Sequence, residues 1–294
     1  MKRVFAIYLA SICIISIYAQ HSVGVSTAGA LAWQLDDIPV TSPAPGGGCE
    51  VGFNYHFRYK HFILQTGIGV SQTWAVQNID SLHKSHQSMY DTEGVPFVYN
   101  STITQRTDKA CITEISMPVL LGIEINRTFY ALVGTKLVLP VFASAYQKAS
   151  LCTWGDYNGR YYENFFNMPE HGYFTQNISS KNKQISFAPD VRGCLEVGGV
   201  VPLNINSQKY KHSSPKLHIG AFVEYGFLNA QKNNVSQRLT DVNYSQYIQV
   251  KMNHVYASDV SSNAHINNLR VGLRFTLLFP VAPVYDKNCN CPQY

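Results

Sequence analysis

The last regular segment of this chain, residues 269–279, constrains its fold more than any other stretch. It has the sequence L-R-V-G-L-R-F-T-L-L-F, in which every odd position is apolar and the first four even positions are polar or small. Because successive side chains of a β-strand point to opposite faces, this pattern predicts a strand with one apolar and one polar face. Such a strand fits a soluble sandwich, or a transmembrane β-barrel whose strands need about 9–11 residues to cross the bilayer.

Seven further segments alternate in the same way, so the sequence predicts eight strands. These segments are residues 21–34, 50–59, 62–76, 114–125, 129–147, 186–201 and 217–228. Prolines and glycines in residues 36–48 predict a turn between the first two strands. Pro118 cannot donate a ladder hydrogen bond, and it therefore predicts a bulge or a local break within its strand.

The connections between the predicted strands differ greatly in length. Residues 60–61 and 126–128 form very short turns, whereas residues 77–108, 148–185 and 229–264 are long and polar. Loops of this length count against a compact soluble sandwich. Short turns at one end and long loops at the other are typical of outer-membrane barrels, which have an even number of antiparallel strands. We therefore predict an all-β fold, an eight-stranded antiparallel transmembrane β-barrel with long extracellular loops and short periplasmic turns.

The composition agrees with a protein that has a large non-aqueous surface. Only 14% of the residues are charged, against about 25% in average soluble domains. The mean hydropathy of −0.09 excludes a bundle of membrane helices. Aromatic residues fall at the strand ends, as two interfacial belts require. The outer belt would contain Trp33, Trp74 and Tyr146, and the inner belt Tyr59, Phe62, Phe129 and Phe279.

The N-terminus has the pattern of a secretory signal peptide. Lys2 and Arg3 precede a mostly apolar run that ends with Ala19, and the run is short for an anchor helix. We predict cleavage after Ala19, export to the outer membrane, a barrel over residues 20–280 and a periplasmic tail over residues 281–294. Removing Lys2 and Arg3 lowers the formal net charge from +5 to +3, a balance that gives no reason to expect a nucleic-acid partner.

The predicted inward face of the strands carries many ionisable side chains. An isolated buried charge is costly, so acids and bases in a narrow interior are expected to pair. An eight-stranded barrel has room for side chains or one small ligand, and we predict a charge network that plugs the lumen. A narrow ion path opened by movement of Glu124 or Glu224 is the less favoured alternative. The predicted network comprises Glu50, His56, Arg58, Glu114, Glu124, Lys136, Asp190, Arg192, Glu196, His218, Glu224, Arg270 and Arg274.

Six cysteines remain after cleavage of the signal peptide, and their spacing fits no zinc framework. A disulfide between Cys111 and Cys152 is possible, because both lie toward the outer end, whereas Cys194 faces the lumen. Cys289 and Cys291 form either a redox or metal-binding tail or a pair of idle thiols.

The sequence predicts no cofactor, no metal site and no catalytic residues. His83 and His86 have i, i+3 spacing, but a metal site would need further ligands. No nucleophile elbow or HExxH pattern is present. We therefore predict that the protein is not an enzyme, although a barrel hydrolase or acyltransferase remains open.

Two segments carry a family resemblance. Residues 114–122, E-I-S-M-P-V-L-L-G, and residues 129–134, F-Y-A-L-V-G, resemble a hairpin of the outer-membrane β-barrel family common in Bacteroidetes, which includes PorT-like proteins. Pro118 and Gly134 match the proline and glycine of that family, and the terminal segment resembles its closing strand. The resemblance implies insertion by the barrel-assembly machinery, no cofactor and usually no assigned activity. The chain departs from the family in continuing after Pro280, and an OmpA-like wall tether is not expected.

These observations predict a structural or surface-interaction role in contact with outer-membrane lipid, exercised through long extracellular loops that bind an unidentified partner. Three alternatives stay open. The first is a small pore or a PorT-like component of protein secretion, which rests on analogy alone. The others are a barrel enzyme and a soluble, lipocalin-like binder.

Overall fold

The computed structural model describes residues 20–79, 82–91, 93–126, 128–158, 174–203, 214–230, 239–244, 248–258, 261 and 264–281. The predicted signal peptide and its cleavage site at Ala19 lie outside these residues, as do Cys289 and Cys291 in the predicted tail.

The described chain is almost entirely β-structure. A 3₁₀ turn, Val255–Ala257, interrupts the last long connection. No helix in the described ranges is long and apolar enough to span a bilayer. The strands are β1 (Gln20–Asp36), β2 (Thr41–Tyr59), β3 (Phe62–Ile79), β4 (Leu82–Tyr90), β5 (Pro96–Ile125), β6 (Phe129–Asp156), β7 (Phe174–Gln184), β8 (Asp190–Pro202), β9 (Lys216–Gly226), β10 (Thr240–Tyr244), β11 (Ile248–Met252) and β12 (Ile266–Pro280).

Eight of these strands close into a ring in the order β1-β2-β3-β5-β6-β8-β9-β12. The first and last strands complete the ring, with Val25 opposite Leu277 in an antiparallel ladder. Every neighbouring pair in the ring is antiparallel. The predicted all-β fold with eight antiparallel strands is confirmed at this level, and closure leaves the ring without a free edge.

The two faces of the ring are the reverse of those in a soluble protein. Large apolar side chains on the outside are exposed, for example Phe53 at 68% and Phe62 at 69% of their surface. Charged side chains on the inside are buried, including Glu50 and Lys136. Both follow from one alternating pattern, because neighbouring residues of a strand point to opposite faces.

The turn predicted over residues 36–48 is wrong in its extent. Only residues 37–40 connect β1 to β2, and β2 begins at Thr41. Gly46 is the first residue of β2, in chain order, that is paired with β1, and both Pro43 and Pro45 precede it. Because Pro43 has a ladder partner on the β3 side only and Pro45 has none on either side, their missing N–H groups can be accommodated. A register shift between Ala44 and Gly47 absorbs the irregular stretch.

The long polar segments contain strands that the sequence did not predict. β5 has 30 residues and β6 has 28, so each spans roughly 100 Å at about 3.4 Å per residue. β4 pairs with the first part of β5, and β7 pairs with the last part of β6. The four strands form a sheet in the order β4-β5-β6-β7, hereafter the protruding sheet. This sheet extends the ring at the end opposite the short turns, hereafter the outer mouth.

Pro118 produces a local break and no bulge. Thr66 pairs with Val119 and Gly69 pairs with Ser116, so the register of β3 on β5 is the same on both sides of the gap. On the other side of β5 the ladder is continuous, with Pro118 opposite Lys136. The missing N–H of proline therefore interrupts one ladder only.

Candidate functional site

The centre of the lumen holds a cluster of ion pairs. Lys136 Nζ lies 3.1 and 3.0 Å from the two carboxylate oxygens of Glu50 and also donates to Glu224. Arg270 Nη1 lies 3.1 Å from Glu50 and 3.3 Å from Glu224. Arg274 Nη2 bridges the same two carboxylates at 3.2 and 3.0 Å. Three cations thus share two acids, and all five side chains are nearly inaccessible to solvent.

A third acid, Glu196, balances the charge of this cluster. Arg274 Nη1 lies 2.7 Å from Glu196, which also accepts a hydrogen bond of 2.7 Å from the Tyr130 hydroxyl. The Arg274 guanidinium stacks over the Phe222 ring at 4.6 Å. With Glu196 included, three acids meet three bases, so the cluster carries no formal net charge. Such pairing is what makes burial of six charged groups tolerable.

A second group of ion pairs lies toward the outer mouth. Arg192 forms a bidentate pair with Glu114, with N–O distances of 3.0 and 2.5 Å. Its Nε lies 3.2 Å from Asp190, and Ser71 donates to Glu114 at 3.2 Å. The planar guanidinium suits this arrangement, because it presents several donors in a fixed geometry.

A third group closes the end of the lumen near the short turns. Glu124 accepts from Arg58 at 3.0 Å and from Lys216 at 3.4 Å. The rings of His56 and His218 lie 5.5 Å apart at an interplanar angle of 83°. Lys216 was missing from the predicted network because it stands at the very start of β9, before the alternation becomes evident.

All thirteen residues of the predicted network lie in the lumen, and most of them form three layers of ion pairs. With Lys216 added, six acids face six bases. The two histidines lie beside these layers and form no ion pair within the described residues. Side chains therefore occupy the interior of the barrel, where they contact one another across the lumen.

The outer mouth holds a further polar cluster that the sequence analysis missed. Arg106 and Asp108 form a bidentate pair with N–O distances of 2.7 and 2.8 Å, and both are buried. Arg106 also donates to the backbone oxygens of Leu239 (3.2 Å) and Asn253. Asp108 accepts from the backbone N–H of Val255 at 2.8 Å.

The 3₁₀ turn in the mouth carries two buried ionisable groups. Tyr256 donates from its hydroxyl to Asp36 at 2.8 Å and accepts a hydrogen bond from Gln77. Burial raises the pKa of Tyr256 well above its usual value of 10, with a further rise from Asp36. Burial lowers the pKa of His254 to about 4, although Asp108 acts in the opposite direction.

The sequence does contain a signal for the cluster of Arg106 and Asp108 in the mouth, although the sequence analysis did not use it. Residues 106–112 continue the inward pattern of β5 through alternate positions, with Arg106, Asp108, Ala110 and Ile112 all buried. The acid and the base at i and i+2 could have extended that strand. Residues 106–108 were predicted as the end of a loop because the outward side chains of this segment are polar as well.

The possible disulfide between Cys111 and Cys152 is not formed, and both residues are free thiols. Cys111 lies opposite Ser144, and Cys152 lies opposite Thr102. The two cysteines are therefore far apart along the β5–β6 hairpin, because the strands run on through the segments predicted as loops. Cys194 is buried in the lumen as a free thiol.

No group of three or more potential metal-ligating side chains occurs within the described part of the chain. His83 and His86 lie on β4, and their side chains are outside the described set.

Comparison with known proteins gives structural likeness without sequence support. No protein-family model matches the chain, and no curated protein matches it. Two structures of Ail, the attachment invasion locus protein of Yersinia pestis, match over 87% of this chain and 99% of theirs. Their identities are 9% and 10%, with TM-scores of 0.25 and 0.27, and the first is a complex with the heparin analogue sucrose octasulfate. OpdQ of Pseudomonas aeruginosa matches at 7% identity over 90% of this chain and 99% of its own, with a TM-score of 0.09. At these scores the likeness adds nothing to the fold described above, and the PorT-like resemblance gains no support.

Proposed function

We propose that this protein is an outer-membrane β-barrel with a closed lumen, which acts at the cell surface through its extracellular strands and loops. The observation that carries the proposal is the contrast between the two faces of the ring. The outside is a continuous band of exposed apolar side chains, and the inside is a set of mutually neutralised ion pairs. A closed ring with an apolar exterior meets the requirements of the bilayer. Its apolar side chains face the lipid, and closure leaves no strand edge with unpaired backbone polar groups.

Filling of the lumen supports a non-conducting barrel. Three layers of ion pairs obstruct the path, and the mouth is covered by a buried 3₁₀ turn. An eight-stranded ring has just enough interior volume for such side chains. We expect purified protein in planar lipid bilayers to show no conductance above baseline, and steady single-channel openings would contradict a closed lumen.

The protruding sheet is the best candidate for the surface-interaction part. It places ordered backbone well beyond the apolar band, and buried aromatic residues stiffen it. Phe97 and Tyr157 stack at 5.0 Å, and Tyr99 is fully buried beside them. Met252 of β11 packs against Ile103 and Leu151 on the inner side of the sheet. A rigid extracellular platform of this kind suits binding to a partner molecule, whose identity the fold does not specify.

The other functions predicted as alternatives have less support. The plugged lumen weakens the hypothesis of a small pore, and no observation favours a PorT-like role in protein secretion. A barrel enzyme would need a nucleophile, base or metal cluster, and no such constellation distinguishes the described loops. A soluble lipocalin-like binder would place the apolar side chains inside, whereas here they are outside.

Membrane fractionation combined with gel mobility tests the proposal. We expect the protein in the outer-membrane fraction, with faster migration in unboiled detergent extracts than in boiled ones, because a closed barrel stays folded in detergent. Recovery in the soluble fraction without a mobility shift would refute the membrane-barrel proposal. Pull-down with the extracellular sheet intact, compared with a variant in which β5 and β6 are shortened at their outer ends near Pro96 and Asp156, would then identify the partner.

A further inference from the structure

Residues 253–258, hereafter the mouth plug, sit in the outer mouth of the ring. At most 1% of the surface of His254, Val255 and Ser258 is accessible to solvent. Val255 and Tyr256 belong to a hydrophobic cluster with side chains from the ends of several ring strands, including Ile79 and Ile266. The plug is therefore seated in the barrel rather than lying across its rim.

The wall of the mouth leaves room for the plug because its side chains are small. Four of the six buried residues in one cluster of this wall are alanines, and Ala257 of the plug packs against the cluster. The alanines are Ala75 on β3, Ala110 on β5, and Ala143 and Ala145 on β6, and the other two residues are Ile112 and Ile185. Larger inward residues at these positions would fill the space that the plug occupies.

The plug is also attached to the wall by polar contacts. Arg106 and Asp108 bind its backbone at Asn253 and Val255, and Tyr256 is held by Asp36 and Gln77. These contacts can be made and broken without covalent change. Removal of the plug would also leave Arg106 and Asp108 paired with each other, so the wall does not lose its charge balance.

Beneath the plug lie buried polar groups without a protein partner among the described residues. They include both side-chain amide atoms of Gln34, the hydroxyl of Thr73, and Nε and Nη2 of Arg270. Thr73 Oγ1 and Arg270 Nη2 lie 3.5 and 3.7 Å from the point where a Cβ of Gly48 would stand. Buried polar groups are nearly always satisfied by protein or by water. The plug therefore separates these buried polar groups from the exterior.

His254 is the N-cap of the 3₁₀ turn, and its hydrogen bonding requires the neutral ring. Its Nδ1 accepts from the backbone N–H of Tyr256 at 3.2 Å, and its Nε2 is buried without a partner. A protonated ring carries hydrogen on both nitrogens, so Nδ1 would face the Tyr256 N–H as a second donor. Asp108 and Arg106 on β5, Tyr256 in the plug and Asp36 at the end of β1 are the ionisable groups around this site.

We propose that the mouth plug is an acid-released closure, which leaves the barrel mouth when His254 becomes protonated and exposes the buried polar groups beneath it. The neutral ring caps the turn and holds the plug closed. The charged ring loses the cap, because Nδ1 can no longer accept, and it lies next to Arg106. Asp108 cannot relieve the added charge fully, because its carboxylate already serves Arg106 and the Val255 N–H.

The pH window follows from the two states of His254. The released plug has a histidine with the ordinary pKa of 6.5, and burial lowers the pKa to about 4 in the seated plug. The released state thus binds more protons between these values. Closure is complete above pH 6.5, weakens as the pH falls toward 4 and changes little below that. From pH 7 to pH 5 the closing equilibrium should fall by about twentyfold.

Hydrogen exchange of the full-length protein in detergent micelles, measured by mass spectrometry at pH 7 and pH 5, tests the proposal. After correction for the intrinsic effect of pH on exchange, we expect protection of the Val255 and Tyr256 amides to fall by about twentyfold. Amides of β1, β2 and β12 should keep their protection. Unchanged protection of the plug, or equal loss in the ring strands, would overturn the proposal.

Two variants isolate the histidine. H254N retains a side chain that can cap the turn without titrating, and it should keep the plug protected at both pH values. H265N changes an exposed histidine of the same connection and should leave the pH response as in the unmodified protein. Loss of protection at pH 5 in H254N would show that another group releases the plug and would overturn the assignment.

Discussion

Arg106 and Asp108 stand two residues apart on β5 and form a bidentate ion pair, with Nε–Oδ1 at 2.7 Å and Nη2–Oδ2 at 2.8 Å. A β-bulge next to them sets their direction: the register of β5 on β6 shifts between Thr104 and Thr107, and Gln105 has a φ of 50°. Bulges of this kind re-aim side chains within a strand. As a result one neutral pair offers both a donor and an acceptor to the backbone of the mouth plug.

The first prediction concerns Asp108. Replacing it with Asn leaves the buried Arg106 without a counter-charge, and breaking a buried pair in this way costs about 3–5 kcal/mol. Because the pair lies in the mouth, we expect the loss to appear as weaker hydrogen-exchange protection of residues 253–258 at pH 7, with the ring intact. D156N alters an exposed acid at the end of β6 and should leave the plug protected. Equal protection in the D108N variant would show that the pair does not hold the plug.

The second prediction concerns Lys136, which contacts Glu50 and Glu224 at the centre of the lumen. Lys136→Met removes one of three cations that serve these acids, so we expect the free energy of unfolding to fall by about 3–5 kcal/mol. Urea unfolding in detergent, followed by gel mobility of unboiled samples, measures the change. Lys109→Met makes the same substitution at an exposed position and should change stability by less than about 0.5 kcal/mol. Similar stabilities would mean that the lumen cluster is dispensable for folding.

The ring strands could be predicted from the sequence, because a single physical rule produces them. A strand with lipid on one side and a narrow lumen on the other must alternate strictly, as β12 does from Leu269 to Leu277. The same rule placed Glu50 and Lys136 inside. It could not pair them across the lumen, because Lys136 and Glu50 lie on strands that are not adjacent in the ring.

The protruding sheet and the mouth plug could not be predicted by that rule. Beyond the apolar band both faces of β5 can be polar, as at Ser101 and Thr102, so the alternation disappears although the strand continues. Backbone pairing with β4 and β6 holds it instead. His254 and Tyr256 gave no periodic signal either, because a 3₁₀ turn of three residues is too short to show one.

The third prediction concerns Gly134, which lies in the hairpin that resembles the outer-membrane barrel family. A Cβ on Gly134 would stand 2.2 Å from the backbone oxygen of Val119, which cannot move without shifting β5. Gly134→Ala should therefore cost about 1–3 kcal/mol through overpacking. Gly29→Ala is the matched control, since nothing lies within 4 Å of its added methyl group and alanine is favoured over glycine in strands by about 0.5–1 kcal/mol. Folded fractions of the two variants on unboiled gels should differ in that direction, and equal fractions would contradict the close approach of β5 and β6.

The last prediction tests which surface of the ring meets lipid. Leu121 and Thr107 both point outward from β5, but Leu121 lies within the exposed apolar band, with 60% of its surface accessible, and Thr107 lies beyond that band. Arginine at a lipid-facing position near the bilayer midplane costs about 2–4 kcal/mol, whereas the cost is small near the interface. We therefore expect Leu121→Arg to lower the yield of folded protein in liposomes and Thr107→Arg to leave it nearly unchanged. In a ring surrounded by water both arginines would be solvated equally, so equal yields from the two variants would place the apolar band against something other than a bilayer.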